Sequence, residues 1–143
     1  MSKTANPELL DAFDFSIPLQ IRFSDIDGYQ HVNNGVYFNY YEHSRAVFLS
    51  DVCDWNVMEI GVVVAKIDID YFRPIHLQDT VSAYVRCSKI GNSSFVLEQI
   101  LAGKAAGGEE VIFSKSNCTM VSVDMKTMKP VSVPEAYRLK LGA

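Results

Sequence analysis

No stretch of this 143-residue chain approaches the roughly 20 consecutive apolar residues that a membrane-spanning helix needs. The start, Met1 to Pro7, lacks the basic-then-apolar pattern of a secretory signal, so the expected location is the cytoplasm. Cysteine is sparse: Cys53, Cys87 and Cys118 are odd in number, far apart and in no C-x-x-C spacing, which argues against both a disulfide framework and a zinc site. They read as reduced core thiols. Basic residues are scattered, and the net charge of −4 supplies no field that would draw nucleic acid. No Walker or dinucleotide glycine motif occurs, and no cofactor is expected. Internal repeats, low-complexity tracts and linker-like stretches are absent as well.

What is present is a single-domain length, residues 1–143, with 48% hydrophobic residues to close one core. Ile17 to Phe23 alternates like a half-buried strand, with Leu19, Ile21 and Phe23 on one face; Pro18 marks a strand start or a sheet edge. From Asn34 to Asp51 the period becomes helical, with Val36/Tyr37, Tyr40/Tyr41, Ser44 and Val47/Phe48 at steps of three and four. Asn33 and Asn34 suit its N-cap, and Glu42 is spaced to pair with Arg45 on its surface. After a loop from Val52 to Glu59, Gly61–Phe72, Asp79–Lys89, Ser93–Ala106 and Glu109–Val123 read as strands, the last three joined by hairpin-length turns. Pro134 to Leu141 reads as a short terminal helix. One strand, a Tyr-rich helix and a run of strands predict an α+β fold in which a single sheet covers the helix.

The most informative stretch is Arg22 to Asn34, which compresses Asp25, Asp27, His31, Asn33 and Asn34 into a loop before the helix N-terminus. Unpaired N–H groups and the helix dipole there favour a developing negative charge. Acyl transfer needs these parts: a carboxylate to attack or to activate water, and donors aimed at the oxyanion.

The pattern R-F-S-D-I-D-x-x-x-H-V-N-N-x-x-Y-x-x-Y-x-E, from Arg22 to Glu42, resembles the signature of the 4-hydroxybenzoyl-CoA thioesterase family. A second match lies at Asp70-Tyr71-Phe72-Arg73-Pro74 with Asp79 beyond it. The resemblance implies the hotdog fold, a curved antiparallel sheet around one central helix, and hydrolysis of an acyl-CoA or related acyl thioester. It makes Asp27 the catalytic carboxylate and the backbone N–H near Asn34 the group that polarises the thioester carbonyl. His31 and Asn33 are expected to position substrate, and Tyr37 to line the pocket with Tyr40 and Tyr41. Asp25 is expected to hold the loop or to pair with Arg22 or Arg73. Many members carry glycine immediately before H-V-N-N, where this chain has Gln30; a positive φ there would strain it.

Other readings carry less weight. Asp27 before Gly28 has the setting of a plain turn aspartate, and His31 that of a hydrogen-bonded positioning group. Asp25, Asp27 and His31 match no closed metal-site spacing, so no metal is expected. A cysteine nucleophile partnered by His43 or His76 is less plausible than cysteine packed in a core. A hotdog-type dehydratase or hydratase would need a histidine and an acid at the acyl α and β carbons, and a non-catalytic acyl-CoA-binding protein would have no use for Asp27. A sheet wrapped on one helix leaves edges to cover, which predicts a homo-oligomer, a dimer or tetramer.

Overall fold

The computed structural model describes residues 7–142; the first six residues, which belong to the segment without a secretory pattern, and Ala143 lie outside the described residues. Five strands form: β1 (Phe15–Leu19), β2 (Ile60–Tyr71), β3 (Thr80–Ile90), β4 (Ser94–Lys104) and β5 (Glu110–Asp124). The long helix α1 (Val36–Asp51) stands between β1 and β2, and a short helix α2 (Glu135–Lys140) follows β5. Tight 3-10 turns occupy Pro7–Ala12 and Phe23–Asp25.

The strands make one antiparallel sheet in the order β1-β3-β4-β5-β2. Because β1 and β2 occupy opposite edges, α1, which connects them, has to cross the sheet. This is the hotdog arrangement. Pro18 sits in the edge strand β1, where its missing N–H costs no ladder bond on the open side. Gly103 of β4 has a specific reason to be glycine, since a Cβ there would run into the Thr80 carbonyl of β3.

α1 packs through two clusters. Phe48 and Leu49 meet Val85, Phe95, Leu97, Cys118 and Met120, with Cys53 and Trp55 just beyond the helix. Tyr37, Tyr40 and Tyr41 meet Val81, Ala83, Leu101, Val111 and Phe113. Each large side chain so buried contributes about 1.5–3 kcal/mol, and the helix is held by this packing. The two clusters share α1 with a polar knot: Arg45 Nη1 donates to Gln99 Oε1 (3.1 Å), and Gln99 Nε2 donates to the Tyr41 carbonyl (2.9 Å) and to Ser44 Oγ (2.8 Å). On the far face of the sheet Ile100, Ala102 and Ile112 are covered by Leu10, Phe13, Phe72 and Tyr84.

The long strands and α2 fall within about two residues of the sequence reading, but three details differ. β1 begins at Phe15 and ends at Leu19; the chain then leaves the sheet for the 3-10 turn, and Phe23, expected on the buried face, is 82% exposed. The helix starts at Val36 with Gly35 as N-cap, although Asn33 Oδ1 still accepts the Gly35 N–H at 2.8 Å. Glu42 and Arg45 form no surface pair: Arg45 is 5% exposed and turned to Gln99, because its position on α1 faces the sheet.

Candidate active site

The loop between β1 and α1 is built on Asp25. Its Oδ2 accepts the Tyr40 hydroxyl (2.6 Å) and the Arg22 N–H (3.1 Å), and its Oδ1 accepts the Arg22 guanidinium (3.1 Å). Burial pushes this carboxyl up, but the bonds from Tyr40 and Arg22 outweigh that and hold it below the usual aspartate range. The expected partnership with Arg22 is present. Arg73 instead pairs with Glu109.

Beyond Asp25 the chain doubles back. Ile26 and Val32 form an isolated antiparallel bridge, the Asp27 N–H donates to the His31 carbonyl (2.8 Å), and the Gln30 N–H donates to the Asp27 carbonyl (3.0 Å). Gln30 has φ 65°, so the loop takes the left-handed conformation that favours glycine, at a cost of about 1–2 kcal/mol. The Val32 N–H donates to the Ile75 carbonyl (2.8 Å), which ties this loop to the segment joining β2 and β3.

Asp27, His31, Asn33 and Asn34 are thereby gathered on one loop. Asp27 is half-buried; its Oδ1 accepts the Tyr29 N–H (2.8 Å), as a turn aspartate does, and its Oδ2 takes no hydrogen bond among the described residues. Asn33 accepts the Gly35 N–H on its side chain and the Val36 N–H (2.9 Å) on its carbonyl. Asn34 is exposed; its carbonyl accepts the Tyr71 hydroxyl (3.1 Å), while its own N–H has no acceptor among the described residues. Tyr37 is 1% exposed and forms the floor beneath, its ring 4.8 Å from that of Tyr71, and burial pushes its hydroxyl up to about 12.

Sequence reasoning missed the second side of the site. The His31 ring meets the His76 ring edge to face at 5.0 Å, and His76 Nδ1 lies 3.5 Å from the buried Asp79 Oδ2. Tyr71 anchors Asn34 from β2. Asp79 and Tyr71 fall in the second motif, but nothing in spacing links His76 to His31. The cysteine alternative finds no support: Cys53 and Cys118 are buried, Cys87 donates to the Lys89 carbonyl, and burial pushes all three thiols up, Cys53 to about 11. Among the described residues no group of three His, Cys, Asp or Glu is placed to hold a metal ion.

Two cavities flank α1. One of about 300 Å³ lies between α1 and β2, lined by Glu42, Arg45, Leu49, Val62, Val64 and Met120. Another of about 330 Å³, beside Phe15, Phe48, Val52 and Cys87, contains none of the loop residues. The cavity between α1 and β2 lies against the second half of α1, and like the other it is lined by none of the loop residues.

Residues 21–141 match the family model of the Thioesterase-like superfamily. The chain belongs to that superfamily. This member is a hotdog-fold thioester hydrolase. It is 30% identical over 126 residues to the long-chain acyl-CoA thioesterase FadM of Escherichia coli, covering 86% of this chain and 93% of the relative. A solved thioesterase from Thermus thermophilus, complexed with coenzyme A and zinc, is 33% identical, with a TM-score of 0.75 over 92% of this chain and 99% of that one. A variant of 4-hydroxybenzoyl-CoA thioesterase, solved with 4-hydroxybenzoyl-CoA, shares the fold at 15% identity, with a TM-score of 0.80 over 90% of this chain and 98% of that one. Among the described residues of this superfamily member no helix is long and apolar enough to cross a membrane.

Proposed function

We propose that this enzyme hydrolyses acyl-CoA thioesters with Asp27 as the catalytic carboxylate and the main-chain N–H of Asn34 as the oxyanion donor. The observation that carries the reading is that one loop holds a carboxylate oxygen and a helix-entrance N–H, both without partners among the described residues. The thioester carbonyl oxygen lies toward Asn34, and Asp27 attacks the carbonyl carbon or takes a proton from the water that does. The C–S bond then breaks, and coenzyme A leaves as the thiol after taking up a proton; where water attacked, the carboxylic acid is released at once, and where Asp27 attacked, water hydrolyses the acyl–Asp27 anhydride to the acid and frees the carboxylate. A positioned donor of this kind is worth about 3–4 kcal/mol, and a positioned base about a hundredfold in rate. His31 and Asn33 hold the ends of the loop, and Tyr37 supports it from the core.

Coenzyme A as the leaving group agrees with the names of the relatives above. The acyl chain takes the groove between α1 and β2, whose apolar wall is Leu49, Val62, Val64 and Met120. No cofactor is needed, and the single domain of residues 1–143 works in the cytoplasm, in keeping with its three unpaired thiols. Among the described residues β2 pairs only with β5, and its Val63 and Val64 are 37% and 46% exposed; this open edge supports a homo-oligomer, at least a dimer.

The test is Asp27→Asn assayed by free-thiol release from a panel of acyl-CoAs. Turnover should fall at least about a hundredfold with the fold kept, since the amide neither attacks nor accepts the proton. A folded, fully active variant overturns the assignment. A wild-type protein that consumes acyl-CoA without releasing thiol would point to a dehydratase or hydratase instead.

A further inference from the structure

One face of α1 carries a stripe at steps of three and four residues: Phe38, Glu42, Arg45 with Ala46, and Leu49. The last four of these line the cavity of about 300 Å³ against β2, and Phe38, 46% exposed, continues the face back toward the Asn34 end of the helix. Within this stripe Arg45 is the unusual member. Of the five arginines, Arg22, Arg73, Arg86 and Arg138 each meet a carboxylate, Asp25 at 3.1 Å, Glu109 at 3.0 Å, Glu98 at 2.6 Å and Glu135 at 3.9 Å. Arg45 is 5% exposed, and among the described residues it meets none.

Arg45 Nη1 donates to Gln99 Oε1, a neutral acceptor, while Nε and Nη2 have no acceptor among the described residues. Those two nitrogens are not sealed in, because among the described residues the sealed side-chain atoms without a partner are Ser116 Oγ and Ser122 Oγ. They open instead into the cavity that Arg45 lines. A buried charge is stabilised by pairing, and its bonds to a carboxylate are about twice as strong as those to a neutral acceptor.

Resting on the reading that the acyl chain takes this groove, we infer that Arg45 determines specificity by binding a carboxylate at the far end of the acyl group. The preferred substrates are then CoA monothioesters of dicarboxylic acids. Chain length follows from the helix. Arg45 lies ten residues beyond the N-cap Gly35, ~15 Å along the axis, and its side chain leans back toward the helix start, which leaves ~10–15 Å between thioester and carboxylate. Since the three backbone bonds of a residue span ~3.3–3.6 Å when extended, an acyl group of about 8–12 carbons covers that distance. Glu42 stands at the exposed rim of the same cavity, three positions before Arg45, and its like charge weakens the hold on the carboxylate.

The test measures kcat/KM by free-thiol release on decanoyl-CoA and on the mono-CoA thioester of decanedioic acid. The full-length wild type should favour the dicarboxylic substrate at least about tenfold, the ratio that one charge-assisted hydrogen bond supplies. In the double variant Arg45→Met/Gln99→Leu, which removes the cation and its acceptor together, the preference should reverse through KM. Glu42→Gln should raise it, and this exposed position serves where the double variant does not fold. A wild type without the preference overturns the proposal, and so does a preference that survives in the folded double variant. An equal preference for 10-hydroxydecanoyl-CoA also overturns it, because the recognised group would then be a neutral acceptor. Loss of an oligomer in the double variant with the ratio unchanged would assign the free donors of Arg45 to a second copy of the chain, again against the proposal. The two readings fail separately: a fully active Asp27→Asn enzyme refutes the catalytic carboxylate and leaves the substrate ratio standing. If the wild type releases thiol from neither substrate, calorimetric binding of the same two thioesters to wild type and variants decides the role of Arg45.

Discussion

The Tyr40 hydroxyl donates a 2.6 Å hydrogen bond to Asp25 Oδ2, and this bond fastens the loop that carries Asp27 to the central helix. A buried helix residue thus sets where a half-buried carboxylate stands. The two aspartates two positions apart have different work: Asp25 is 2% exposed and fully engaged, whereas Asp27 is accessible with one oxygen free of hydrogen bonds among the described residues.

Asp25→Asn should therefore act through stability, costing about 1–3 kcal/mol because the Arg22 N–H and guanidinium lose their carboxylate acceptor. The sign with pH follows from the lowered carboxyl. Asp25 contributes fully above the ordinary aspartate range of about pH 4, and its contribution fades as pH falls through the lower value it has in the folded protein. Urea unfolding at pH 7 and in the acid range should show the gap between wild type and variant narrowing in acid.

Gln30→Gly should stabilise the protein. The native φ of 65° suits glycine, and relief of the strain outweighs the added freedom of the unfolded chain by about 0.5–1 kcal/mol. Thermal unfolding should move upward by about 2–4 °C. A lower melting temperature with the loop intact would show that the Gln30 side chain itself holds the turn.

Gln99→Leu should be among the costlier core substitutions, about 2–4 kcal/mol, because Arg45 would keep its charge in the core without the Gln99 oxygen that accepts from it. Adding Arg45→Met should recover most of that loss, since an apolar pair of similar volume leaves no buried charge unmatched. Denaturant unfolding of the two single variants and the double variant gives the coupling directly.

Asn34→Ala should leave turnover within about tenfold of wild type, because the proposed donor is main-chain and survives the change. Asn33→Ala should cost about 1 kcal/mol of stability, because its Oδ1 satisfies the Gly35 N–H at the helix entrance. A collapse of kcat in Asn34→Ala, measured by thiol release, would move the essential group from the backbone to the side chain.

Local patterns made much of the fold legible. The helical period from Val36 to Phe48 and the alternating strands with their turns placed α1 and the four long strands to within a few residues, because periodicity reflects which side chains one element must bury. The loop from Arg22 to Asn34 was equally legible, since its acids, histidine and asparagines are neighbours in sequence. Phe23 went to solvent and β1 shifted back because Asp25 is drawn to Tyr40, 15 positions away.

By itself, then, the sequence determined the elements, the fold class, and the set of polar residues at the helix entrance. Only the tertiary structure decided that Arg45 turns inward to Gln99, that Tyr71 anchors Asn34, and that His76 meets His31. Those three contacts join residues 54, 37 and 45 positions apart. They depend on how the sheet and its connections pack over the helix, and no short-range period or turn signal carries that information.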